Sequence, residues 1–182
     1  NAFSMCTECR KYYPEFRVSI NLSYVQILKS PLMMELKQMI DHSGISCSGI
    51  IVELTESGYL EGTPAVRSVW NDMKQLRIQI ALDDFGTGYS NLMNISNLEP
   101  DIVKLDRGFT LKALSRSYEY QLMQYVIEMV HKLNQYVCVE GVETKEDLEK
   151  IKALGPDLIQ GYYYSKPCSR NEFLKKFFCY SE

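Results

Sequence analysis

The sequence predicts an α/β protein: a parallel sheet of about six strand–helix units, curled into an incomplete (β/α) barrel. Three observations predict this. Short apolar runs rich in branched residues alternate with segments of helical period, and such runs read as strands buried on both faces. The alternation implies parallel strands joined by outer helices. Polar residues stand at the end of every run, as they do where all strand ends face one barrel mouth. An open doubly wound sheet is the competing architecture, weakened because no Gly-rich phosphate loop follows the first strand. A closed barrel needs eight strands and usually about 250 residues. With 182 residues, the chain is two strands short.

The elements follow in order. Residues 17–23 read as the first strand, and Cys6 to Tyr13 as the end of a helix leading into it. A helix carries Leu32, Met33, Leu36, Met39 and Ile40, with Gly44 as its stop. Residues 50–54 form the second strand, followed by a helix with Val66, Val69, Trp70, Met73 and Leu76. Residues 78–82 make the third strand, ending in Asp83 and Asp84, and a short helix is expected near Ser90 to Ser96. Residues 101–106 are the fourth strand. The longest helix then places Tyr118, Leu122, Val126, Met129, Val130 and Leu133 on one face. Residues 136–140 are the fifth strand, and Thr144 opens a helix ended by Gly155-Pro156. Residues 158–161 are a short sixth strand, and Phe173, Leu174, Phe177 and Phe178 lie on a last helix.

One domain accounts for residues 1–182. Asn1-Ala2, with no leading Met, resembles a tag remnant and is set aside from the fold. The net charge of −3 gives no basic footprint, so duplex nucleic acid is not an expected partner. No run is long enough to span a membrane and no signal peptide is evident, which points to the cytoplasm. Six scattered cysteines fit reduced thiols, and the lone Cys6-x-x-Cys9 spacing has no second pair to complete a zinc site.

The strand ends deliver Asn21, then Glu53 and Glu56, Asp83 and Asp84, Lys104, Glu140 and Glu143, and Gln160. Adjacent carboxylates repel unless a cation or proton intervenes. Oxygen donors without His or Cys suit a hard divalent ion, Mg²⁺ or Mn²⁺, and so many acids suit two ions better than one. Asp83 could bridge such ions about 3.5–4 Å apart, the spacing of metal-assisted phosphoryl chemistry. Each residue also has a plainer role: Asp as a helix cap, Glu56 as a turn cap, Glu143 as a first-turn helix acid, Lys104 as an ion-pair partner. The six ends taken together argue for a site.

Six segments in order, residues 19–23 (SINLS), 53–57 (ELTES), 83–90 (DDFGTGYS), 103–106 (VKLD), 139–144 (VEGVET) and 160–162 (QGY), resemble the EAL domain family of bacterial cyclic-di-GMP phosphodiesterases. The resemblance runs through nearly the whole chain from Arg17. It implies a TIM-like barrel that hydrolyses cyclic di-GMP to linear pGpG with Mg²⁺ or Mn²⁺. It further implies that Asn21, Glu53 and Asp83 ligate one metal, and that Asp83, Asp84 and Glu140 serve the second and its water. Lys104 would hold the attacking water or a phosphate oxygen, and Glu140 is also the general-base candidate. Glu56 would steady the loop from Phe85 to Ser90. Gln160 and Glu143 would complete the substrate site, with Tyr162 stacking on guanine.

The family's Glu-Ala-Leu segment, whose Glu is a metal ligand, has no counterpart in residues 1–16. An N-terminally truncated domain is therefore expected, binding metal poorly and with activity lowered or lost for want of that ligand. Its open seam invites a second copy of the chain, and the parent protein is expected to carry further domains, with or without a membrane tether. Two alternatives compete: a non-catalytic cyclic-di-GMP receptor or interaction module, and a Mg²⁺-dependent enolase-type barrel with strand-end acids and a Lys base. The Asp83-Asp84 doublet and its loop place the last well behind.

Overall fold

The computed structural model describes residues 2–28, 31–55, 63–87, 95 and 99–178. Six strands alternate with helices along the chain, as the apolar runs predict. The chain divides into two compact units: Asn1–Glu53 with Glu61–Ile80 and Pro167–Glu182, and Leu54–Leu60 with Ala81–Lys166.

In the first unit, helix α1 (Ala2–Cys9) buries Phe3, Cys6 and Cys9 and packs on strand β1 (Val18–Asn21) and helix α3 (Leu32–Ser43). Burial raises the pKa of both thiols, and Cys6 donates to the carbonyls of Phe16 and Gly49. Strand β2 (Ile50–Thr55) pairs in parallel with β1, Asn21 opposite Glu53. The short helix α2 (Tyr24–Leu28), which has no clear signal in the sequence, packs against α4 (Pro64–Gln75). Thr63 caps α4, its hydroxyl accepting from the Val66 N–H, and Val66, Trp70 and Met73 turn inward as their spacing predicts. Gly44 ends α3 in the left-handed conformation (φ 62°), its N–H donating to the Ile40 carbonyl. Strand β3 (Gln79–Phe85) begins in this unit. Helix α8 (Arg170–Phe178) buries no residue fully, and Phe173 and Phe178 pack edge-on against Phe16.

In the second unit, β3 pairs in parallel with β4 (Ile102–Leu105), β4 with β5 (Tyr136–Val139), and β5 with β6 (Leu158–Ile159). Leu82, Val103, Leu105, Val137 and Val139 are fully buried, the burial that runs of branched residues require. Two helices follow β4 where the sequence suggests one: α5 (Arg107–Ser115) and α6 (Ser117–Lys132), parted by the extended Arg116. The inward face of α6 also differs from expectation. Of the expected stripe Val130 is buried, together with Met123 and Ile127; Val126 and Met129 are half-buried, and Tyr118, Leu122 and Leu133 are exposed. Both stripes have helical spacing; the tyrosine-containing one keeps its hydroxyl in water. Thr144 and Asp147 form a capping box on α7 (Lys145–Lys152), which buries Leu148 and Ile151.

Candidate active site

The Asp83-Asp84 doublet lies inside β3, not beyond it. Leu82 pairs with Val103 and Phe85 with Leu105, so three steps along β3 match two along β4. The extra residue makes a bulge that sets both acids against Lys104, the one residue between those pairs. Asp84 has φ 60°, a conformation that Asp tolerates better than most side chains. Regular alternation would send adjacent side chains to opposite faces, and a bulge is how a strand re-aims one. Both acids are half-buried.

Lys104, in β4, is 5% exposed. Its ammonium lies 2.9 Å from Asp83 Oδ1 and 2.7 Å from Glu140 Oε1. Glu140 directly follows β5, and its N–H donates to the Leu105 carbonyl, which fixes the acid beside the lysine strand. One buried cation thus sits between two carboxylates drawn from neighbouring strands, leaving a net negative site. Asp106, next along the chain, caps α5 by accepting from the Gly108 N–H at 2.7 Å.

The loop after Glu140 is held by backbone. The Val142 N–H donates to the Gln160 carbonyl, the Gln160 N–H to the Val139 carbonyl, and the Tyr163 N–H to the Val142 carbonyl. These bonds bring Glu143, Gln160 and Tyr162 to the same end of β5 and β6. Gln160 and Tyr162 are exposed, and the Lys166 ammonium lies 5.7 Å over the Tyr162 ring. Glu143 is bound by Arg107, the first residue of α5, through Nε at 3.2 Å and a terminal nitrogen at 2.8 Å, both on Oε1. This hydrogen bond, aided by the charge of Glu143, raises the Arg107 pKa. Sequence reasoning missed Arg107; the signal was a cation in the first turn of a helix, where the backbone dipole favours acids.

Two further expected ligands, Asn21 and Glu53, belong to the first unit. Glu53 is buried, Asn21 is exposed at the end of β1, and the Leu22 N–H donates to the Glu53 carbonyl. Asn21 borders a cavity of about 850 Å³ lined also by Ile20, Leu36, Met39, Val52 and Met73. Glu56 and residues 88–90 of the loop from Phe85 lie outside the described residues, as does all of the expected 90–96 helix except Ile95. Among the described residues no three carboxylate, imidazole or thiol groups come together as a ready metal site, and no helix is long and apolar enough to cross a membrane.

The chain is similar to several known proteins. The EAL domain family profile matches residues 1–167. The cyclic di-GMP phosphodiesterase PdeF of Escherichia coli is 32% identical over 160 residues, which are 88% of this chain and 21% of that protein. The chain thus spans about a fifth of that relative's length. Among solved structures, the EAL enzyme Bd1971 in its cAMP- and cyclic-di-GMP-bound form superposes with a TM-score of 0.89 at 27% identity, over 96% of this chain and 49% of that one. BlrP1 of Klebsiella pneumoniae, in a manganese and cyclic-di-GMP complex, gives 0.84 at 25% identity, over 93% of this chain and 43% of that one.

Proposed function

The chain belongs to the EAL domain family, with its TIM-like barrel fold, and from that premise we propose that it is a divalent-metal-dependent phosphodiesterase domain that opens cyclic di-GMP to linear pGpG. The observation that carries this reading is the Lys104 ammonium held between Asp83 and Glu140 at the ends of adjacent strands. The donor chemistry fits Mg²⁺ or Mn²⁺: the acids outnumber the cation that joins them, and Asn21, Glu53, Asp83, Asp84 and Glu140 offer hard oxygen only. When bound, such ions supply Lewis-acid charge stabilisation and lower the pKa of a coordinated water.

The chain's own residues do the rest. Glu140 is the base that receives the proton of the attacking water. Lys104 orients that water or a phosphate oxygen and offsets the charge that builds on the phosphoryl oxygens. Glu143 and Gln160 bind the base edges of the substrate, and the exposed Tyr162 ring offers a stacking face. The cytoplasm, where free thiols persist, is the proposed location. Among the described residues β1 is paired on one side only, which supports self-association through that edge.

The receptor alternative draws on one observation: the half-buried Asp83 and Glu140 are already engaged by a buried lysine. Product analysis separates the two. Incubation of the chain with cyclic di-GMP and Mn²⁺ should yield linear pGpG, with no product in EDTA. Tight binding without product in either condition would establish the receptor, and neither binding nor product would reject both.

A further inference from the structure

Arg107 is 58% exposed by side chain, yet its guanidinium is held in an ion pair. Two nitrogens of its guanidinium converge on Oε1 of Glu143, 36 residues away in sequence. Among the described residues, Oε2 of Glu143 accepts no hydrogen bond. Room for the arginine is made by Gly141, whose φ is 80° and whose α-carbon faces the Arg107 stem; a Cβ there would run into the Cβ and Cγ of Arg107. The contact does not serve the helix, because a cation at the first turn of α5 opposes the helix dipole. The arrangement fixes the direction of one carboxylate at the rim of the site while leaving half of it unused.

We infer that Arg107 is a positioning residue for base recognition: by holding Oε1 of Glu143 it presents Oε2 to the N1–H and 2-amino donors of a guanine. This rests on the proposed function, in which the substrate carries guanine. A carboxylate oxygen is an acceptor only. Guanine offers two adjacent donors to it, whereas adenine offers a ring-nitrogen acceptor at the same place and is repelled. A site built to accept those donors rejects the base that lacks them. A freely rotating Glu143 would lose that selectivity, because the entropy of fixing its rotamers would fall on the bound complex.

The test is a set of affinities for cyclic di-GMP and cyclic di-AMP, measured by isothermal titration with and without Mn²⁺, on the chain and on R107A, R107K, E143Q and R107A/E143Q. Hydrogen bonds to charged groups of this kind predict a roughly ten- to hundredfold weaker affinity for cyclic di-GMP in R107A and a matching loss of preference over cyclic di-AMP. The double variant should be no worse than E143Q alone. R107K should recover part of the affinity, since it keeps the charge and loses the fork. Melting temperatures should stay unchanged, which a merely structural arginine would not allow. If the chain prefers cyclic di-GMP and R107A keeps that preference, the inference is overturned while the proposed function stands. If the chain binds neither nucleotide, the proposed function falls and takes the inference with it. Should R107A fail to fold, R107K and E143Q decide the matter: equal preference in both and in the unaltered chain overturns it.

Discussion

In the second unit Lys104 is buried and joins two carboxylates, and Glu143 is tied to Arg107; in the first, Asn21 stands exposed on a four-residue strand that, among the described residues, is paired on one side. Both sets come from strand ends, so the same sequence logic placed them. They differ in what holds the side chain. Asp83 and Glu140 are oriented by protein charge on neighbouring strands, and their geometry is set before any ligand arrives. Asn21 is placed by β1–β2 register alone, beside the buried Glu53. Under the proposed function the first kind of residue also contributes to stability, whereas Asn21 is kept for the ligand.

That contrast can be broken most sharply at Lys104. K104M leaves two acids facing each other with no cation, and removing one partner of a buried ion pair costs about 3–5 kcal/mol. Urea denaturation should show that loss, with part of it restored by Mn²⁺; an unchanged midpoint would mean that the trio is not load-carrying. The packing of the second unit sharpens the comparison next. I127A should cost about 2–5 kcal/mol by opening a cavity. L122A, on the exposed stripe of the same helix, should stay within about 0.5 kcal/mol. Equal effects would restore the face that the sequence suggested. T144A removes the cap that aims the chain beyond Glu143 into α7 and should cost about 1 kcal/mol in the same assay. N21A should change stability by less than about 0.5 kcal/mol while lowering Mn²⁺ affinity. A large loss of stability would show that Asn21 is structural and erase the difference between the units.

Much of the fold was legible in the residues. Runs such as 50–54 and 102–105 are too apolar and too branched to lie anywhere but in a buried parallel sheet. Gly44 and Thr144 mark helix ends by chemistry that needs no tertiary context. The misread face of α6 has a physical cause: its two apolar stripes have the same period, and only the neighbouring elements decide which turns inward. The bulge at Asp84 was illegible because no glycine announces its positive φ. Lys104, Asp83 and Glu140 were each recognisable as strand-end groups, but their ion pairs depend on register, which spacing does not give. Arg107 escaped notice because its partner lies a strand and two helices further on.

The most direct measurement is the initial rate of pGpG release from cyclic di-GMP in Mn²⁺, followed by ion-pair chromatography for the chain and for E140Q, which keeps the shape of the acid and removes its charge. The account predicts pGpG from the unaltered chain and a rate lower by about 10²–10⁴-fold in E140Q, the usual worth of a positioned base. Equal rates for the two, or no product from a chain that binds Mn²⁺ and cyclic di-GMP together, would contradict it.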